Sequence, residues 1–146
     1  AEDFVYSFTR QLDPATAASY AAILYDIKGA AEWNSGQGGG ADQLDLKAVD
    51  DLTLEITLNG PREYFPLLVA YASALPAHRP SVEAHGDKWT EAGNIVSNGP
   101  FKLVSWERNR ELVYERNEDF AVAPKPKLKR AIATVIPNNA GLLPYE

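Results

Sequence analysis

The chain contains no cysteine, which removes disulfides, thiolate nucleophiles and cysteine-based zinc sites in one step. That absence fits any redox compartment, including an oxidising one where a stray thiol is a liability. No run approaches the roughly 18 consecutive apolar residues that a membrane span requires. Positive charge is scarce as well: 14 Lys and Arg stand against 20 Asp and Glu, for a net charge of −6. Such a chain repels phosphate backbones, and nucleic-acid binding would need a local basic face to overcome the repulsion. The one basic cluster, KPKLKR from Lys125 to Arg130, reads as a solvated stretch around two prolines. Nucleic acid is therefore not an expected partner.

Groups able to do chemistry are few. His78 and His85 are the only histidines. Seven apart, they can share a helix face with Asp87 close by, but a metal needs a third convergent ligand and no HExxH or comparable spacing supplies one. GxSxG is missing, so there is no serine-hydrolase elbow. The carboxylates are scattered, and Asp50-Asp51 reads as a pair of turn formers. No nucleophile, base and orienting group come together, so the expectation is a chain that is not an enzyme and uses no cofactor.

What is present is an ordinary folded composition. The 146 residues are 45% hydrophobic and 23% charged, enough for one domain or two small lobes and unlike a disordered chain. No basic-then-apolar leader opens it, which is expected of an intracellular protein or of one already processed. AEDFVYSFTRQL places Phe4, Phe8 and Leu12 at i, i+4 and i+8, one face of a helix. Glu2 and Asp3 suit its first turn, but no Ser, Thr, Asp or Asn precedes them as a cap, the expectation for an excised fragment. Asp13-Pro14 ends that helix and starts another. The alanine-rich stretch from Ala15 to Tyr25 predicts a helix, and Ile27 to Trp33 a shorter one after a bend near Gly29.

The period then changes to two. LKAVDDLTLEITL predicts a β-hairpin turning at Asp50-Asp51, and Gly60-Pro61 stops it. Tyr64 to Val69 predicts a short helix with Phe65, Leu68 and Val69 on one face, and Pro76 to His85 a further helix. Phe101 to Trp106 and Glu111 to Arg116 alternate as a second hairpin turning at Arg108-Asn109-Arg110. Leu128 to Ile136 predicts a strand, and Pro137-Asn138 opens another helix. Hairpins mixed with helices, without regular βαβ alternation, make the class α+β. The best boundary lies near residues 75–80, where ALPAHRP carries two prolines.

Three features invite a functional reading. GQGGGA at 36–41 formally matches a dinucleotide fingerprint, but that motif needs a strand before it and a helix after it, so it reads as a surface loop. Tyr6, Tyr20, Tyr25, Trp33, Tyr64, Phe65 and Tyr71 crowd the first half; most should be core, with a minority lining a ligand surface. SNGPF at 97–101 is a turn in which Asn98 and Gly99 tolerate positive φ and Pro100 fixes the next angle before a strand. Such a turn can present backbone N–H and C=O groups to a ligand.

Several separated stretches together resemble one family. They are AEDFVYSFTRQLDP at 1–14, LKAVDDLTLEITLNGP at 46–61, YFPLLV at 64–69, HGDKWTEAGNIVSNGPFKLVSWERNRELVYERNEDF at 85–120 and AIATVIPNN at 131–139. Their order and spacing are similar to those of the extracellular solute-binding proteins of ABC importers, in the branch of oligopeptide-, dipeptide- and nickel-binding proteins. GDKWT, the NGPFKL turn and the ERN ending resemble the oligopeptide-binding members. A departure follows ERN, where the family continues with a proline and a Tyr-Trp pair and this chain has Asn117-Glu118-Asp119-Phe120-Ala121.

The resemblance implies a partial periplasmic-binding-protein fold of type II. Residues 1–75 would form most of the smaller accessory domain and residues 76–146 part of the first ligand-binding lobe, the opposite lobe lying outside this sequence. It implies capture of short peptides at the periplasmic or extracellular face of the cytoplasmic membrane, with or without a lipid anchor, and delivery to ABC permease subunits. Asn98, Gly99 and Phe101, beside the cleft, and Tyr20, matching a tyrosine-bearing helix of the family, are the candidate contacts. Two alternatives stay open: the same fold binding another solute such as a nickel chelate or sugar oligomer, and a non-catalytic protein-interaction module.

Overall fold

The computed structural model describes residues 1–136. Its internal contacts divide the chain into two compact units, Ala1–Arg79 and a second that begins at Pro80.

The first unit opens with helix α1, Glu2–Leu12, whose apolar spacing puts Phe8 and Leu12 in the core. Phe4 is more than a third exposed but stacks edge-on against Phe8 with ring centroids 6.1 Å apart. The helix start has no side-chain cap. At the other end the Asp13 carboxylate accepts the N–H of Ala15 at 2.8 Å and opens a short 3₁₀ turn, Pro14–Thr16.

The helix expected over Ala15–Tyr25 does not form as one element. Ala17 takes a left-handed conformation, φ 49°, and a second 3₁₀ turn follows at Ala21–Leu24. The reason lies in the spacing of the residues to be buried. Ala21, Leu24, Ile27 and Ala30 are all in the core, and a step of three is the period of a 3₁₀ helix, not of an α-helix. Alanine's helix propensity is a weak prior that this tertiary demand overrides. Helix α2 is correspondingly late and short, Ala30–Asn34.

Strands β1, Leu46–Ala48, and β2, Leu54–Ile56, pair antiparallel with Leu46 opposite Ile56. Asp50 makes the turn, its carboxylate accepting the N–H groups of Leu52 and Thr53 at 2.9 and 2.8 Å. Residues 26–28 dock beside this hairpin. Lys28 N–H donates to Thr57 O (2.9 Å), Asp45 N–H to Lys28 O (3.1 Å) and Thr57 N–H to Asp45 O (2.9 Å), while Ile27 bridges Leu58. Gly29 must follow: its φ is +84°, and a Cβ there would lie 2.2 Å from the carbonyl oxygen of Gln43. Helix α3, Phe65–Leu68, seats Phe65 in the same core as Phe8, Leu12, Leu24 and Ile27. Each such large side chain contributes about 1.5–3 kcal/mol on burial. The unit is tied at its far end by Ser7, whose Oγ donates to Asp3 O (2.6 Å) and accepts the N–H of Ala77 (2.8 Å).

Helix α4 covers Arg79–His85 and not the expected Pro76–His85. Two prolines compete to start it, and Pro80, in its first turn, sets the beginning. The second unit then builds a three-stranded antiparallel sheet in the order β3-β4-β5, with β3 Phe101–Glu107, β4 Glu111–Arg116 and β5 Arg130–Thr134. The hairpin turns at residues 108–110 with Asn109 at φ 59°, where asparagine is tolerated. Residues directly opposite share a sheet face, so the pairs Phe101–Arg116, Leu103–Tyr114 and Trp106–Leu112 put Phe101, Leu103, Trp106, Leu112 and Tyr114 on one side. Val113, on the other, is the buried residue of the central strand. A register shift between Leu103 and Ser105 is a bulge at Val104. The Arg108 guanidinium lies 3.5 Å over the Trp106 ring and pairs with Glu91, fastening the 86–95 segment to the hairpin tip. The helix expected at Pro137-Asn138 lies outside the described residues.

Candidate ligand-binding site

The turn at 97–100 is held from inside the protein. Ser97 Oγ accepts the N–H of Gly99 at 3.0 Å. Asn117, 2% exposed, then grips two carbonyls of the turn: its side-chain Nδ2 donates to Gly99 O at 2.8 Å and its backbone N–H donates to Pro100 O at 2.9 Å. Its Oδ1 accepts the N–H of Asp119 at 3.1 Å. Partners on both sides fix the orientation of this amide. Asp119 in turn pairs with Lys102 on β3 at 2.8 Å. The Lys102 ammonium, as hydrogen-bond donor and as charge, holds the Asp119 carboxyl below its usual range, with Lys125 adding to the effect.

This arrangement changes what the turn can offer. Neither Asn98 nor Gly99 takes a positive φ, because the Asn117 clasp stabilises an ordinary conformation and the expected glycine freedom is not used. Both backbone polar groups of Gly99 are engaged within the chain. Still exposed at the turn is Asn98, with the half-buried ring of Phe101 beside it at the start of β3. Asn117 itself went unrecognised as a functional position in the sequence, although it ends the ERN motif. Its signal is burial at a strand end, which one sequence does not display.

Tyr20 belongs to the first unit. It is 54% exposed, and its ring sits against Tyr71, itself 51% exposed, at 5.9 Å and a tilt of 45°. Gln11 Nε2 donates to its carbonyl at 3.0 Å. The pair is an open aromatic surface that the first unit's own core does not cover. Near by in the chain, Arg62 donates to the Asp26 carboxylate at 2.7 Å. That bond, joined by one from Tyr64, holds the Asp26 carboxyl below its ordinary value against the opposing effect of desolvation.

A shallow pocket of about 480 Å³ lies where β4 ends and β5 begins, lined by Glu115, Arg116, Glu118, Lys129 and Arg130. Arg116 gives Nε and Nη2 to one Glu118 oxygen at 2.9 and 2.7 Å, so its charge is largely neutralised in place. Among the described residues no group of three or more His, Asp or Glu could hold a metal, and no helix is long and apolar enough to cross a membrane.

Residues 1–143 match the family described as bacterial extracellular solute-binding proteins, family 5. The chain belongs to this family. Among its relatives, the oligopeptide-binding protein OppA of Bacillus subtilis is 40% identical over 141 residues, 95% of this chain and 26% of that protein. The solved structure of Burkholderia pseudomallei OppA superposes with a TM-score of 0.90 at 32% identity, covering 98% of this chain and 28% of that one. Listeria monocytogenes OppA bound to peptide superposes at 0.85 with 35% identity, over 92% of this chain and 27% of that one. The chain thus spans about a quarter of the length of these solute-binding proteins. Its fold is the corresponding part of the type II periplasmic-binding-protein architecture, α+β with helices and hairpins mixed.

Proposed function

We propose that the chain is part of the substrate-binding component of an ABC importer, one that captures short peptides outside the cytoplasmic membrane and hands them to the membrane permease subunits. The observation that carries this reading is the 40% identity over 95% of the chain to an oligopeptide-binding protein. Residues 1–75 are assigned to the accessory domain and residues 76–146 to part of the first lobe, with peptide enclosed when the lobes of the intact protein close. Backbone hydrogen bonds to an extended peptide give affinity without side-chain selectivity, and closure excludes water. No catalytic group or cofactor is needed for that role. Its place is the periplasmic or extracellular face of the membrane, free or lipid-anchored.

Within this reading Tyr20, Asn98 and Phe101 contribute side-chain contacts. Gly99 contributes through the shape of the turn, since its N–H and C=O are already engaged. Calorimetry of the intact protein against a mixed pool of short peptides tests the function: saturable binding is expected, and no binding to any pool would overturn it. Tyr20→Ala should weaken affinity several-fold. Unchanged affinity removes Tyr20 from the site and leaves the peptide-binding reading standing.

A further inference from the structure

We infer that Asn98 is a site of spontaneous covalent modification: the Gly99 nitrogen attacks the exposed, unheld Asn98 carboxamide and converts it to aspartate and isoaspartate. In this reaction the backbone nitrogen of the following residue bonds to the side-chain Cγ and ammonia leaves. The resulting five-membered imide is opened by water at either carbonyl. The balance is one water consumed and one ammonia released, with no oxidant, metal or other catalyst required. Three conditions favour it: a following residue with no side chain to obstruct the attack, an exposed carboxamide, and no hydrogen bond fixing that carboxamide elsewhere.

The described asparagines separate on these conditions. Asn34 is held at both ends, accepting from the Tyr25 hydroxyl and donating to Leu12 O. Asn94 donates to Lys88 O and is followed by β-branched Ile95. Asn109 is followed by Arg110, and Asn117 is buried in its clasp. The informative comparison is Asn59, which lies in the same Asn-Gly-Pro triplet and is also exposed. Its Nδ2 donates to Tyr25 O at 3.1 Å and its backbone N–H to Asp26 O at 2.9 Å, so the carboxamide is tethered away from the next nitrogen. Among the described residues none hydrogen-bonds the side chain of Asn98. The Gly99 N–H donates to Ser97 Oγ; that bond opens for the attack, and the proton passes to hydroxide of the mildly alkaline solvent.

The product matters to the local structure. An isoaspartate adds a methylene to the backbone immediately before the two carbonyls that Asn117 grips, and either product adds a negative charge to the exposed turn. The reaction does not depend on what the protein binds.

The test is timed incubation of the intact protein at mildly alkaline pH and body temperature, followed by proteolytic peptide mapping that separates aspartate from isoaspartate. Asn98 is expected to convert first, with Asn59 lagging several-fold. Asn98→Gln should abolish the signal from that peptide. Gly99→Ala, whose Cβ would lie 3.2 Å from Ser97 Oγ and 4.0 Å from Phe101 O, should slow it several-fold and leave Asn59 unaffected. Conversion at Asn59 as fast as at Asn98, or an unchanged Asn98 in the folded protein while a urea-unfolded sample converts, would overturn the inference.

Discussion

Replacing Asn117 by alanine isolates the clasp on the 97–100 turn. The variant loses two side-chain hydrogen bonds, to Gly99 O and from Asp119 N–H, and keeps the backbone bond from residue 117 to Pro100 O. A neutral hydrogen bond contributes about 1 kcal/mol net, and a polar group left unpaired costs about 1–3 kcal/mol according to its access to water. Asp119 is exposed and its N–H can rehydrate; Gly99 is half-buried and its carbonyl rehydrates less well. The loss should therefore be about 2–3 kcal/mol. Amide hydrogen exchange of the intact protein is the suitable assay, because it reads the β3–β4 hairpin apart from the first unit. At 1.4 kcal/mol per factor of ten, protection there should fall by about thirtyfold or more. Asn117→Asp refines the test. It retains an acceptor for Asp119 N–H but sets a carboxylate against the Gly99 carbonyl, so the turn should be loose at neutral pH. Burial raises the pKa of such a carboxyl, and once protonated it can donate to Gly99 O. Protection, corrected for intrinsic exchange, should then recover as the pH falls. Hairpin exchange within about twofold of the parent in Asn117→Ala would refute the reasoning.

Two further outcomes follow from the first unit. Gly29→Ala and Gly36→Ala both place a side chain at positive φ, which costs about 1–2 kcal/mol, but only at Gly29 does the new Cβ collide, 2.2 Å from Gln43 O. Urea unfolding should show a clearly larger loss for Gly29→Ala; equal losses would mean that the 41–44 segment yields freely. The second outcome concerns Asp26. Its folded-state pKa is depressed below 3.8, chiefly by the Arg62 hydrogen bond, so the pair stabilises the fold above the ordinary carboxylate pKa and that contribution is lost as pH falls through the depressed value. The stability difference between the parent and Asp26→Asn should be constant near neutrality and shrink below about pH 4. A difference that grows on acidification would reverse the assigned sign.

Both hairpins were legible in the sequence because their signals are local: alternating apolar residues, and Asp50 or Asn109 where the chain must turn. Helix α1 was legible for the same reason, three apolar residues on one face. The stretch from Ala15 to Tyr25 was not, because alanine content speaks for an α-helix while the burial of every third residue from Ala21 to Ala30 is a property of the assembled core. The start of α4 depended on which of two prolines the surroundings would use. At the candidate site the turn could be read, but not its holder. Asn117 lies 18 residues from Gly99, and only the pairing of β3 with β4 brings them together. That pairing also decides that Gly99 spends its polar groups internally, which the dipeptide Asn-Gly does not reveal.

The bond between Ser7 and Ala77 spans 70 residues and makes the first unit a closed loop of chain. Within this unit the chain leaves Ser7 and returns at Ala77 to the same point. A module with that geometry can be spliced into a host fold as a side branch: the host's path is interrupted at a single spot, and its own strands need not be spread to accommodate the insertion.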